Sequence, residues 1–85
     1  MGGVPIQSLR NLGPASAGWL RAAGVNTVED LKRLGPVAAY RVVLLQQPGA
    51  SLNLLWALVA GLDDRDWREL SLTEKQRLRQ LLDED

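Results

Sequence analysis

The chain contains no cysteine, no histidine and no phenylalanine. Without cysteine there is no disulfide framework and no thiolate nucleophile. Without histidine the commonest general base and the commonest metal ligand are both missing. Without phenylalanine the aromatic bulk falls to Trp19, Trp56, Trp67 and Tyr40. An excess of charge is also missing: ten basic residues balance ten acidic ones, which argues against a strong nucleic-acid binder. No basic region followed by an apolar run opens the sequence, so no signal peptide is expected and the default location is cytoplasmic. No apolar run approaches the roughly 20 residues that a membrane span needs. No phosphate loop or metal motif is present, so the reading is no enzyme, no cofactor, no metal and no small-molecule substrate.

What is present is apolar patterning. The 85 residues are read as one domain, 1–85, and the 46% hydrophobic fraction is enough for a modest core. The richest stretch runs from Ser51 to Leu62, where Asn53 is the only strongly polar side chain after the serine. Leu52, Leu55, Trp56, Val59 and Leu62 recur at helical spacing, and Leu54 and Leu58 cover a second face. A helix that is apolar nearly all round needs protein around it, and this one is too short for lipid. The expectation is therefore an all-α domain of five helices around Leu52–Leu62, with Leu55, Trp56 and Val59 almost fully buried.

The remaining boundaries follow from turn and cap chemistry. Residues 1–5 read as a flexible lead-in, and Ile6 and Leu9 as anchors of a short turn around Ser8–Asn11. A helix is expected from Pro14 to Ala23, with Ala15, Trp19, Leu20 and Ala23 inward and Gly24 as its stop. Thr27 with Asp30 forms a capping-box pattern for a second helix whose Val28, Leu31 and Leu34 face inward. Gly35 ends that helix, and Pro36 opens a third running to about Gln46, with Val37, Tyr40, Val43 and Leu44 inward. The run Val42–Leu45 has strand character, but a lone strand would have no partner. Asp63, Asp64 and Asp66 read as turn and cap residues. A last helix begins near Thr73 through Ser71/Glu74 or Thr73/Gln76, packs through Leu78, Leu81 and Leu82, and frays over residues 83–85. Gly13, Gly24 and Gly35 are each expected at left-handed or close-contact positions. The two Leu-Gly-Pro-x-x-Ala segments at Leu12–Ala17 and Leu34–Ala39 are either an internal repeat or two uses of one helix-joining device.

The segment Leu9-x-Asn11-Leu12-Gly13-Pro14-x-x-Ala17-x-x-Leu20-x-x-Ala23-Gly24-Val25 resembles a helix-hairpin-helix module. In such modules a glycine hairpin aims the first amides of a helix at a DNA phosphate, where unpaired N–H groups and the helix dipole favour an anion. The resemblance makes Arg10, Asn11, Gly13, Ala15, Ser16, Arg21, Lys32 and Arg33 the candidates for contact with a phosphate backbone. Asn11 stands in place of the first hairpin glycine, and no lysine follows Gly13-Pro14.

Extended through Leu31-x-x-Leu34-Gly35, Tyr40, Ser51-Leu52-Asn53-x-Leu55-Trp56-Ala57-Leu58 and Trp67, the pattern looks like the C-terminal domain of the TfoX/Sxy competence-regulator family, here as a stand-alone domain. It covers roughly residues 6–82, with Ser51, Leu52, Asn53, Leu55 and Trp56 in its most specific part. Longer members carry an α/β domain ahead of this one and regulate bacterial genes for DNA uptake. The resemblance implies the helical fold first, and the regulatory setting at one remove.

Three residue types invite a functional story. Asn53 is expected to be buried and to satisfy backbone groups of the loop between Gln46 and Ala50, Ser51 to be an N-cap, and the three tryptophans to be core. Two function classes stay open. One is a noncatalytic module that binds a protein partner or a second copy of itself. The other is weak, sequence-independent DNA-backbone binding through the Gly13 hairpin. The first is favoured by zero net charge and by the acidic second half, where residues 51–85 carry five basic and eight acidic groups.

Overall fold

Proline opens two helices and glycine or aspartate reverses the chain after three. A computed structural model describes residues 3–83, and among them five helices are found: α1 (Pro14–Ala22), α2 (Val28–Leu34), α3 (Pro36–Gln46), α4 (Leu52–Leu62) and α5 (Leu72–Asp83). Two short 3-10 turns, Ile6–Ser8 and Trp67–Glu69, precede α1 and α5. No strand forms among the described residues; Val42–Leu45 lies inside α3, and one isolated bridge joins Pro5 to Thr27. No helix is long and apolar enough to cross a membrane.

The ends of α1 and α4 are built alike. After α1, Val25 N–H donates to the Leu20 carbonyl (2.8 Å) and Gly24 N–H to that of Arg21 (3.0 Å), with Gly24 at φ 91°. After α4, Arg65 N–H donates to Ala60 (2.8 Å) and Asp64 N–H to Gly61 (3.0 Å), with Asp64 at φ 56°. This pair of bonds closes a helix by a left-handed residue just past its end. Gly35, also at φ 91°, ends α2 and caps the start of α3 at once. Gly13 differs: it is the extended N-cap of α1 at φ −92°. The two Leu-Gly-Pro segments are thus not equivalent in backbone, because only Gly35 must also terminate a helix.

Burial follows the expected centre with local shifts. Ile6, Leu20, Leu31, Leu55 and Leu58 are inaccessible, and Tyr40, Val43, Leu54, Trp56 and Leu70 are nearly so. Helix α4 is the most buried, and α3 packs against α1, α2, α4 and α5. Val59, Leu52 and Leu62 are only half-buried, whereas Ala57, Ala60 and Gly61 are buried. The reason is a close crossing. A Cβ on Gly61 would lie 2.7 Å from the Arg10 carbonyl oxygen and 2.8 Å from Leu9 Cγ, so the small face of α4 is the one pressed against the N-terminal segment.

Four other expectations shift. Ala15 is exposed, and Ala17 takes its place inside α1. Leu34 and Leu81 are exposed, at 44% and 40%. The lead-in is pinned from Val4 onward, where a flexible segment was expected. Val28 N–H donates to the Val4 carbonyl (2.8 Å), Val4 N–H to Glu29 Oε1 (3.1 Å), and Ile6 N–H to Asn26 (3.0 Å). Met1 and Gly2, and Glu84 and Asp85 of the expected frayed tail, lie outside the described residues. Helix α5 begins one residue early, capped by Ser71 and Glu74 in both directions.

Candidate functional site

The hairpin before α1 owes its shape to Asn11, which takes φ 78° in the left-handed region that asparagine tolerates. Its side chain then reaches the other half of the molecule. Nδ2 donates to the Arg65 carbonyl at 2.8 Å, and Oδ1 accepts from Trp67 N–H at 3.4 Å. Arg10 turns the same way: Nη1 donates to the Asp64 carbonyl at 2.9 Å and lies 3.8 Å from its carboxylate. The segment before the hairpin is a three-residue 3-10 turn, not a helix, so a first helix of the expected module does not form. Ile6 and Leu9 hold it by burial, one turn earlier than the expected Ser8–Asn11.

At the start of α1, Pro14 has no N–H and Ala17 N–H already bonds Gly13, so the amides of Ala15 and Ser16 remain. Arg21 lines the same shallow depression as Gly13, with Nη1 donating to Gln7 Oε1 at 3.1 Å. Arg33 sits elsewhere, paired with Asp30 in a second depression beside Gly24. Lys32 is exposed on α2. The structure therefore brings Gly13 and Arg21 together, turns Arg10 and Asn11 toward the Asp64–Trp67 turn, and leaves Arg33 at the far end of α1.

Local charges are bound to neighbours. The Asn26 N–H, followed by the Arg33 guanidinium and the Thr27 groups, holds the Asp30 carboxyl below its ordinary range. Asp66, which caps the second 3-10 turn, is drawn down to about 2 by the Arg68 side chain and N–H. Glu74 is likewise drawn down to about 2, first by Arg65 at 3.0 Å and then by the Ser71 N–H. Arg65 also holds Asp63 at 3.0 Å, and this clasp keeps the α4–α5 connection folded back.

The stretch Ser51–Trp56 is mixed in role. Leu55 and Trp56 are core and Leu52 is half-buried. Ser51 occupies the N-cap position without a side-chain cap bond. Asn53 is exposed, against the expectation of a buried amide, because it lies on the face of α4 turned away from fully buried Leu55 and Leu58. The loop it was expected to serve is held by Tyr40 instead, whose hydroxyl donates to the Ala50 carbonyl at 2.9 Å while burial pushes its pKa up. A tyrosine on the inner face of α3, about two turns from the loop, was the signal for that bond.

Two concave surfaces escaped the sequence reading. One is a cleft of about 470 Å³ lined by Trp19 and Trp67 with Ser16, Ser51 and Asn53; both tryptophans are half-buried, where core was expected. The other is a groove of about 530 Å³ between α3 and α5, lined by Leu34, Val37, Arg41, Leu78 and Leu81.

The hairpin, the two glycine-ended helices and the apolar α4 define a small all-α domain. A family model described as the TfoX C-terminal domain matches residues 4–82. The chain belongs to that family. No match is found among the curated proteins or among the solved structures.

Proposed function

We propose that the domain is a noncatalytic interaction module that binds a protein partner or a second copy of itself. Its setting would be the regulation of competence in the bacterial cytoplasm that the TfoX/Sxy resemblance implies. The observation that supports this is the groove between α3 and α5, where Leu34 and Leu81 stand open beside half-buried Val37 and Leu78. Adjacent exposed apolar side chains around a groove are a common mark of a contact surface. Sedimentation of the domain over a wide concentration range tests the self-association arm. A concentration-dependent dimer, lost in a Leu34→Glu/Leu81→Glu variant that keeps its helical spectrum, supports the proposal.

A second reading is weak, sequence-independent binding to the DNA backbone. It is favoured by Gly13 and Arg21 sharing one depression at the start of α1. A labelled duplex titrated at about 50 mM and then about 200 mM salt separates the two, because several phosphate contacts produce a steep loss of affinity. Micromolar binding with that loss, abolished by Arg10→Ala/Arg21→Ala/Lys32→Ala, combined with a strictly monomeric domain, overturns the first reading.

A further inference from the structure

Helix α5 carries its charge in blocks. The sequence runs through Lys75, Arg77 and Arg79, then Leu81 and Leu82, then Asp83, Glu84 and Asp85. Arg79 and Asp83 stand at equal distance on either side of Leu81, and so do Arg77 and Asp85. This order is unfavourable for a helix on its own, because the C-terminal end of the dipole repels carboxylates. Little within the fold offsets it. Glu74, the one carboxylate ahead of the basic block, is tied to Arg65. Lys75 lies over the Trp56 ring, and none of Lys75, Arg77, Arg79 and Asp83 makes an ion pair among the described residues.

The same helix borders the groove against α3. No residue of α5 is buried, and Leu81 stands 40% exposed at the groove's edge. Arg77 lies one turn before Leu81 and shares its face. A helix that meets this face needs an apolar centre, acid beside Arg77 and base beside Asp83. A parallel copy of α5 would set like charges side by side. An antiparallel copy sets each block against its opposite and opposes the two dipoles. A two-fold axis produces that arrangement, because both copies then use one surface. We infer that the occupant of the groove is a second copy of this chain, docked with the two α5 helices antiparallel. Leu81 of each copy would rest against Leu34, Val37 and Leu78 of the other, with each Arg77 beside the acidic block that begins at Asp83. This arrangement rests on the proposed reading of the groove as a contact surface and selects self-association over a different partner.

The test is sedimentation of the full chain at about 50 mM and about 500 mM salt. The expected result is a concentration-dependent dimer that weakens as salt screens the paired blocks. Arg77→Glu, at an exposed position without an ion pair, should keep the fold and remove two attractions per dimer. Its dissociation constant should rise roughly two- to thirty-fold. The triple variant Asp83→Lys/Glu84→Lys/Asp85→Lys, whose charges suit a helix C-terminus, should weaken the dimer likewise. Mixed in equal amounts, the two variants should form a heterodimer tighter than either homodimer, because each reversed block then meets its opposite. Failure of the mixture to restore association overturns the antiparallel pairing. A dimer lost in Leu34→Glu/Leu81→Glu but indifferent to salt and to both charge reversals overturns it too, while the groove remains a contact surface. A chain that stays monomeric to millimolar concentration overturns it and leaves the groove to a different protein, the other arm of the proposed function. A dimer that survives Leu34→Glu/Leu81→Glu places the contact elsewhere and overturns both the pairing and the use of the groove for self-association.

Discussion

Gly61 and Gly13 show how differently two glycines act in one chain. A methyl group at Gly61 meets the Arg10 carbonyl oxygen at 2.7 Å, and backbone cannot step aside as a flexible side chain can. Gly61→Ala should therefore destabilise the domain by about 1–3 kcal/mol through overpacking. Gly13 has open space around it and an ordinary negative φ, so Gly13→Ala should stay within roughly 0.5 kcal/mol. Denaturant titrations of both variants read the contrast. Leu55, fully buried, should lose about 2–5 kcal/mol on replacement by alanine. Leu55, Leu31 and Tyr40 were legible from periodicity, because a core residue is fixed by its own element's face. Asn53 and Gly61 were not legible. Which face of α4 meets Leu9 and Arg10 depends on a segment more than 40 positions away.

Among the elements, α5 is the least embedded. None of its residues is buried, and it is held by Leu78 and Leu82, by the Ser71–Glu74 capping box and by the Arg65–Glu74 pair. Arg41 of α3 donates to the Leu81 and Leu82 carbonyls at 2.7 and 3.1 Å, satisfying acceptors that a helix C-terminus leaves open. The sequence stripe Leu78, Leu81, Leu82 marked the right face, but α5 crosses α3 so that Leu81 falls at the edge of the groove. The Glu74 clasp makes α5 sensitive to acid. Its carboxyl titrates near 4.5 when free and near 2 in the fold, so the unfolded chain takes up the proton first. The stabilisation is whole above pH 4.5 and is lost as pH falls through about 2; Asp66 adds to the same window from 3.8. Thermal unfolding followed by circular dichroism should show a falling midpoint over that range, with a shallower fall in Glu74→Gln. An equally steep fall in that variant would remove Glu74 from the account. At the end of α4, Asp64→Gly should stabilise the domain by about 0.5–1 kcal/mol, since glycine meets no Cβ penalty at φ 56°.

At the scale of the whole molecule, the N-terminal hairpin and the α4–α5 connection are one assembly. Arg10 and Asn11 bond Asp64, Arg65 and Trp67, while Leu9 and the Arg10 backbone rest against Gly61. Arg10 and Asn11, which a phosphate-binding hairpin would leave free, are spent on the α4–α5 connection here, and the two larger concave surfaces are the indole-lined cleft and the leucine-edged groove. The left-handed turn at Asn11 was legible in the sequence because local spacing carries it, whereas the first helix of a helix-hairpin-helix module does not form. The use of this turn as a clasp was not legible, because the Arg65 carbonyl that Asn11 bonds is 54 positions away. The central claim is that this hairpin works as a clasp between the two halves of the chain. Asn11→Gly tests it most directly, because glycine keeps the left-handed backbone and removes only the amide. A denaturant titration should show a loss of about 1–3 kcal/mol, as expected when two intramolecular hydrogen bonds disappear. An unchanged midpoint with an unchanged slope would contradict the clasp.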